Sequence, residues 1–304
     1  MSKGMTRRAG LLGVGLAGAA LASSAVAKTT TNKVPTKMPD TAALTPFSCN
    51  LDTWFKEVPF VDRFAKAAAL GFKQVEFWAA KRDADGTDAA KIRALLDANG
   101  LKVTQYAPTP PDFSDPARHD DLVAMIRDTI KDCAILGCRQ ITLTGHGLIA
   151  GMTREAMLVG YTAGLMRIAP LLEQAQIMAL VEPFNTVNHP NHLLNGSRPG
   201  VGIVRAVNSP MVRLQWDFYH MQLEDGDLIE KFTSGVDMVG YIQLGDVPAR
   251  HQPGTGEVNY PNLLKAVRAA GYNGPMGLEY YPADQDNARA VADAIALSKA
   301  AGLV

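Results

Sequence analysis

Short runs of apolar residues, rich in Val, Ile and aromatics, recur along the chain at positions 46–51, 74–78, 102–106, 140–144, 177–182, 212–218, 238–244 and 275–280. They read as eight buried strands. Between most of them apolar residues return at i, i+3 and i+4, the period of a helix with one face turned inward. Phe60, Phe64 and Ala67 form one such set, Ile92, Leu95 and Leu96 a second, and Leu158, Tyr161, Leu165, Ile168 and Leu172 a third. The helices end alike. Gly71, Gly100, Gly137 and Gly271 each stand where a helix C-terminus favours a left-handed residue, and a strand follows each. The repeat is about 32 residues, the size of a βα unit, and βαβα alternation implies a parallel sheet. Eight such units in about 260 residues, near the roughly 250 typical of such barrels, predict an α/β protein of the closed (β/α)8 kind, a TIM barrel. The alternative, an open doubly wound sheet, lacks the GxGxxG that would follow its first strand.

The N-terminal residues fall outside this pattern. Arg7 and Arg8 precede a weakly apolar, Gly- and Ala-rich run over 9–27 that closes on Ala25-Val26-Ala27, an A-x-A cleavage site. Residues 1–27 therefore read as a twin-arginine signal peptide, and the expected location is periplasmic or secreted. The run is too short and too Gly-rich for a stable membrane anchor. Residues 28–44, rich in Thr, Lys and Pro, read as a disordered leader, which leaves 45–304 as the barrel domain. The signal holds Lys3, Arg7 and Arg8 and no acid, so from 30 basic and 30 acidic residues the mature chain keeps 27 and 30, a net charge of about −3. No Lys/Arg run appears, which disfavours nucleic acid as a partner. Cys49, Cys133 and Cys138 are too few for a disulfide framework and are expected to be buried free thiols.

Barrels of this kind keep their chemistry at the C-terminal ends of the strands. The fifth run ends at Glu182. The sixth ends near Asp217, with His220 three residues on; the seventh has Gln243 near its end, and the eighth carries Glu279. Four oxygen-bearing side chains thus stand on four successive strands, 35, 26 and 36 residues apart. Singly, each has an ordinary alternative: pairing with an arginine or capping the next helix. As a set they point elsewhere. Buried carboxylates without partners protonate rather than stay charged, and a divalent cation relieves that. Three carboxylates and an amide oxygen suit Mg²⁺ or Mn²⁺ better than zinc. Glu182, Asp217, Gln243 and Glu279 are therefore the expected metal ligands.

The seventh run leads into a long polar loop over 244–260, LGDVPARHQPGTGEVNY, which carries Asp246, Arg250, His251 and Glu257 ahead of a helical pattern at 262–270. It is either a solvated surface loop or, beginning at a strand end, part of the site. The phrase GDVPARHQPGTGEVNY, followed by GLEY on the next strand, resembles hydroxypyruvate isomerase within the sugar isomerase/epimerase superfamily of xylose isomerase-like barrels. The resemblance runs from about Thr45 onward and includes GFKQVEFW at the second strand. It implies metal ligands at Glu182, Asp217, Gln243 and Glu279, the two glutamates as the acid/base pair, and substrate oxygens held by His220 and Arg250. Gln243 favours the hydroxypyruvate isomerase branch over epimerases with His there. The chain departs from the family in two ways: Tyr241 stands where His is expected, and an export signal precedes a fold whose relatives are normally cytoplasmic.

The residue types imply a mechanism: proton removal next to a carbonyl, an enediolate, and proton return to the neighbouring carbon. A cation polarises the oxygens, and Arg250 offers a planar fork for a substrate carboxylate. The expected function is aldose–ketose isomerisation of a small hydroxy-carbonyl compound of the hydroxypyruvate/tartronate semialdehyde type, with self-association into a homo-oligomer left open. Rival readings are a sugar epimerase, a dehydratase or lyase on the same barrel, an endonuclease IV-like phosphodiesterase and an exported sugar-binding protein. Glu76 either faces the site or orients a ligand. Trp54, Trp78 and Trp216 read as packing or pocket wall, His146 as a turn residue, Glu257 as a brace for its own loop, and His189 with His192 as a weak metal pair.

Overall fold

Every expected strand forms. The computed structural model describes residues 41–82 and 86–304, with β1 (Phe47–Asn50), β2 (Gln74–Phe77), β3 (Lys102–Tyr106), β4 (Gln140–Thr144), β5 (Met178–Glu182), β6 (Val212–Asp217), β7 (Val239–Leu244) and β8 (Met276–Leu278). Each pairs in parallel with the next, and β8 returns to β1 with Ser48 opposite Gly277, so the sheet closes in the order β1 to β8. This is the (β/α)8 barrel expected from the spacing. Helices α1 (Phe60–Ala69), α2 (Ala89–Asn99), α3 (His119–Leu136), α4 (Arg154–Ala175) and α5 (Ser197–Val207) follow the first five strands. Two short helices, α6 (Phe218–Glu224) and α7 (Leu228–Gly235), follow β6. The ring is completed by α8 (Tyr260–Ala269), two residues ahead of its expected start, and α9 (Asn287–Ala300).

Period-two alternation sorts each strand into two faces. Phe47 and Cys49, Val75 and Phe77, Ile141 and Leu143, and Ala179 and Val181 are buried in the apolar layer shared with the helices. Their neighbours Ser48, Asn50, Glu76, Thr142, Gln215, Tyr241 and Gln243 are also buried, and they hydrogen-bond to one another across the lumen, Ser48 through Thr104. The interior is therefore polar toward the C-terminal end. All three cysteines are free and buried. Among the described residues no helix is long and apolar enough to cross a membrane.

The signal expected over 1–27 and most of the leader expected over 28–44 lie outside the described residues. The last four leader residues need correction. Thr41–Leu44 forms a turn of 3-10 helix with Ala43 and Leu44 fully buried and in contact with α9. The physical reason is apolar cover at the end of α1. Gly71 takes φ +97°, and a Cβ there would lie 2.3 Å from the Thr41 methyl, so Gly71 admits this segment against the barrel.

Candidate active site

The lumen below the mouth is organised around a relay of amides. Thr142 on β4 donates to Gln215 Oε1 on β6 at 2.6 Å, Gln215 Nε2 donates to Gln243 Oε1 on β7 at 2.7 Å, and Gln243 Nε2 donates to Glu76 Oε1 on β2 at 2.8 Å. Glu76 also accepts from Asn50 at 3.0 Å and from the Tyr241 hydroxyl at 2.5 Å. A Cβ on Gly277 would fall within 2.6 Å of both Glu76 oxygens, so the absence of a side chain on β8 makes room for the acid. Burial raises the Glu76 pKa, with the bonds from Tyr241, Gln243, Asn50 and Gln105 pulling it back.

Above this layer lie the strand-end acids. Glu182 closes β5 and Asp217 closes β6; one atom of each, with one of His220, lies within 4.8 Å of the others. Asp217 meets both of its ordinary alternatives at once. Its Oδ1 caps α6 by accepting from Tyr219 N at 2.8 Å, and its Oδ2 receives Arg250 at 2.6 Å. The same Arg250 nitrogen reaches Glu279 Oε2 at 2.9 Å, and Trp78 Nε1 donates to Glu279 Oε1 at 2.7 Å. Glu182 differs from the others. Its Oε1 is buried and has no hydrogen-bond partner.

The electrostatics follow. Burial drives Glu182 well above the usual carboxylate range, and the charges of Glu279 and Asp217 add to it. Burial likewise lifts Glu279, to about 8, against the pull of Arg250. Asp217 is raised by burial despite Arg250 and the helix amides. For Arg250, burial opposes the charge, but Glu279, Asp217 and Glu182 outweigh it and hold the guanidinium above its ordinary value. Three buried acids and one arginine leave an excess of negative charge at the site, which favours uptake of a cation or proton.

Arg250 is not a mobile surface residue. Its backbone sits at φ +53°, its N–H donates to Asp246 O at 2.8 Å, its carbonyl accepts from Tyr281 N at 2.9 Å, and its guanidinium lies 4.8 Å from the Tyr219 ring. Asp246 fixes the loop that carries it, accepting from the backbone amides of Val247, Gly254, Gly256 and Val258 at 2.9–3.1 Å. Glu257, expected to fix its own loop, ties it to α6 by accepting from Gln222 Nε2 at 3.0 Å.

Glu182, His220, Gln243, Arg250 and Glu279 line one cavity of about 500 Å³ at the C-terminal mouth, walled by Trp78 and Phe184. Gln243 and Glu279 share that space but keep their oxygens on protein donors. Gln105, Thr142 and Gln215 line it too and escaped the sequence reading. Their signal was the alternation itself, since Gln215 stands two residues before Asp217. Asn185, also overlooked, sits three after Glu182 and contacts His220 Nδ1 at 2.6 Å. Tyr241, in place of the expected His, points down onto Glu76. Glu76 proves to orient Gln243 rather than to face the cavity. His189 and His192 do not join the acids. His189 packs against Phe184 at 4.5 Å with its ring tilted, His192 stacks on Phe184 at 4.4 Å, and His192 Nδ1 bonds Leu194 O. His146 lies in the loop after β4, outside the cavity lining, and accepts from Ser114 N at 3.1 Å.

The family description of xylose isomerase-like TIM barrels matches residues 64–301. The chain is 33% identical to a 2-oxo-tetronate isomerase of Cupriavidus necator over 78% of its length and 92% of that protein. It is 31% identical to hydroxypyruvate isomerase of Escherichia coli over 78% of its length and 93% of that protein. Among solved structures, one described as an AP endonuclease, family 2, from Brucella melitensis superposes with a TM-score of 0.72 at 33% identity, covering 78% of this chain and 93% of that one. The closed barrel, the three acids and one amide at the ends of its last four strands and these relatives agree: the chain belongs to the xylose isomerase-like TIM-barrel family, alongside the hydroxypyruvate and 2-oxo-tetronate isomerases, and is an isomerase.

Proposed function

We propose that this isomerase interconverts a small hydroxy-carbonyl acid of the hydroxypyruvate/tartronate semialdehyde type, with Glu182 and Glu279 as the acid/base pair and a divalent cation held at the strand ends. The observation that carries the reading is the buried Glu182 Oε1, left without a partner beside Asp217 and across one cavity from Glu279. Such an atom is costly unless a cation, proton or substrate meets it. The residues fit a hard ion: Glu182, Asp217 and Glu279 offer carboxylates and Gln243 an amide oxygen, all suited to Mg²⁺ or Mn²⁺. Bound there, the ion supplies Lewis-acid polarisation of the substrate oxygens.

The chain's own residues supply the proton chemistry. Arg250 presents its fork toward the cavity beside Glu279 and suits a carboxylate or carbonyl oxygen. Glu182, whose Oε1 has no donor, is the group with room to take the proton from the carbon next to the carbonyl. Glu279, held by Trp78 and Arg250, returns a proton to the neighbouring carbon, while the hydroxyl hydrogen shifts to the former carbonyl oxygen. No group leaves, so the step is an isomerisation; a lyase would also have to protonate and expel a hydroxyl. A phosphodiester substrate is poorly served, because Arg250 is the one arginine or lysine among the described residues that line this cavity.

Export by the twin-arginine route is part of the proposal and rests on residues 1–27. It is checked by fractionation of cells carrying Arg7→Lys with Arg8→Lys, which should retain the protein inside. The reaction is tested by incubating Mg²⁺- or Mn²⁺-loaded protein with a panel of small keto acids and ketoses in D₂O and following C–H exchange by NMR. Exchange with an isomerised product supports the proposal. Exchange followed by loss of water means a lyase, and silence across the panel leaves a binding protein.

A further inference from the structure

We propose that Asn185 fixes His220 as the neutral, Nε2-protonated imidazole, which makes His220 a hydrogen-bond donor to the substrate and keeps it from being a ligand to the cation. The substrate it serves rests on the isomerase reading above; the position of its proton does not.

By donor type alone His220 belongs with the acids. Glu182, Asp217 and His220 bring three ligand atoms within 4.8 Å of one another, a set that would hold an ion if the imidazole offered a lone pair there. The hydrogen bonds behind the ring decide otherwise. The backbone N–H of Asn188 donates to Asn185 Oδ1 at 2.8 Å, which settles which end of the amide is oxygen. Asn185 Nδ2 then faces His220 Nδ1 at 2.6 Å and Asn188 Oδ1 at 3.1 Å. An amide nitrogen has only hydrogens to give. Nδ1 must therefore accept, and the single proton of a neutral ring sits on Nε2.

The ring is held in that pose. It stacks on Phe184 with centroids 4.7 Å apart and planes 25° from parallel, and it stands in the first turn of α6, three residues after Asp217. Nε2 lies 3.5 Å from Asp217 Oδ2, at the wall of the cavity. A neutral imidazole donating N–H to an oxygen that gains charge during proton removal stabilises the transition state without supplying a full positive charge. Asn185 does not touch the reacting atoms; it is a positioning residue.

The test is the ring nitrogens of His220, read by ¹⁵N NMR on the full chain labelled at histidine and assigned with His220→Gln. The six histidines of the chain make the spectrum tractable. In the wild type Nδ1 should be unprotonated and Nε2 protonated, with and without added Mg²⁺. Asn185→Asp offers Nδ1 an acceptor and should place a proton there, while kcat falls about 10²- to 10³-fold, the cost of losing one donor to a developing oxyanion, with KM little changed. A protonated Nδ1 in the wild type, loss of the Nε2 proton on adding Mg²⁺, or an Asn185→Asp variant with the proton unmoved would each overturn the proposal. The wild-type spectrum decides even if the variant fails to fold. Absence of turnover across the substrate panel would sink the isomerase reading alone.

Discussion

Glu76 and Glu182 are both glutamates near the C-terminal ends of strands, both fully or nearly fully buried, and burial raises the pKa of each. Their surroundings are opposite. Glu76 accepts from Asn50, Gln243 and Tyr241, with Gln105 beside them, and both of its oxygens are engaged. Glu182 keeps one buried oxygen with no partner at all. Burial alone thus separates nothing. A carboxylate whose lone pairs are filled by its own protein holds architecture, and one left short is set aside for something that arrives later.

The widest gap between the two should appear in activity. Glu182→Gln keeps the shape and removes the base, so kcat should fall by about 10³-fold, within the range general acid–base catalysis commands. Solvent deuterium should no longer enter the substrate. The cation-free protein should be no less stable than the parent, because burial and the charges of Glu279 and Asp217 already disfavour an ionised carboxylate there. A variant that still exchanges C–H hydrogen at the parental rate would remove Glu182 from the chemistry.

Glu76→Met reverses the pattern. Three donors, from Asn50, Gln243 and Tyr241, lose their acceptor inside the lumen. At about 1–3 kcal/mol for each stranded group, urea unfolding should show a loss of about 4 kcal/mol. Glu76→Gln retains an acceptor oxygen and should lose much less. If Glu76→Met unfolds at the parental urea concentration, the distinction between a filled and an unfilled carboxylate fails.

How much of this was legible in the sequence depends on the range of the interaction. The barrel was legible, because strand runs, helix period and terminal glycines are local and repeat. The strand-end acids were legible for the same reason: a residue's place at the end of an apolar run is local information. What was hidden lies across the lumen. Nothing near Glu76 says that Gly277, on the far side of the chain, leaves it room. Nothing near Glu257 says that Asp246 already holds the backbone amides of its loop. The segment 41–44 was misread on composition, which ignored the apolar Ala43 and Leu44 that anchor it.

Glu279 stands between the two extremes, since both of its oxygens are engaged yet it faces the cavity, and its titration is the finer probe. Its folded pKa of about 8 exceeds an unfolded glutamate's value of about 4.3. The folded state therefore prefers the protonated form, and that contribution is complete below about 4.3 and lost as pH rises through 8. Measured as the stability difference between cation-free wild type and Glu279→Gln, the wild type should lose ground across that window and level off above it. Mg²⁺ should protect increasingly over the same window, because it binds the deprotonated acids. A pH-independent difference would mean that Glu279 does not titrate there.

The smallest effect belongs to Trp78→Phe. The indole N–H donates to Glu279 Oε1 at 2.7 Å and favours its ionised form, so removing it should move the Glu279 titration to higher pH. Trp78 is 41% exposed at the cavity mouth, and water can take the place of the lost donor. The cost should therefore stay near 1 kcal/mol, the usual net worth of one hydrogen bond, and kcat should fall less than about tenfold, the equivalent of 1.4 kcal/mol. Were the loss as deep as for Glu182→Gln, the indole would be holding the substrate itself, and Glu279 would have to be classed with the unfilled acids rather than between the two.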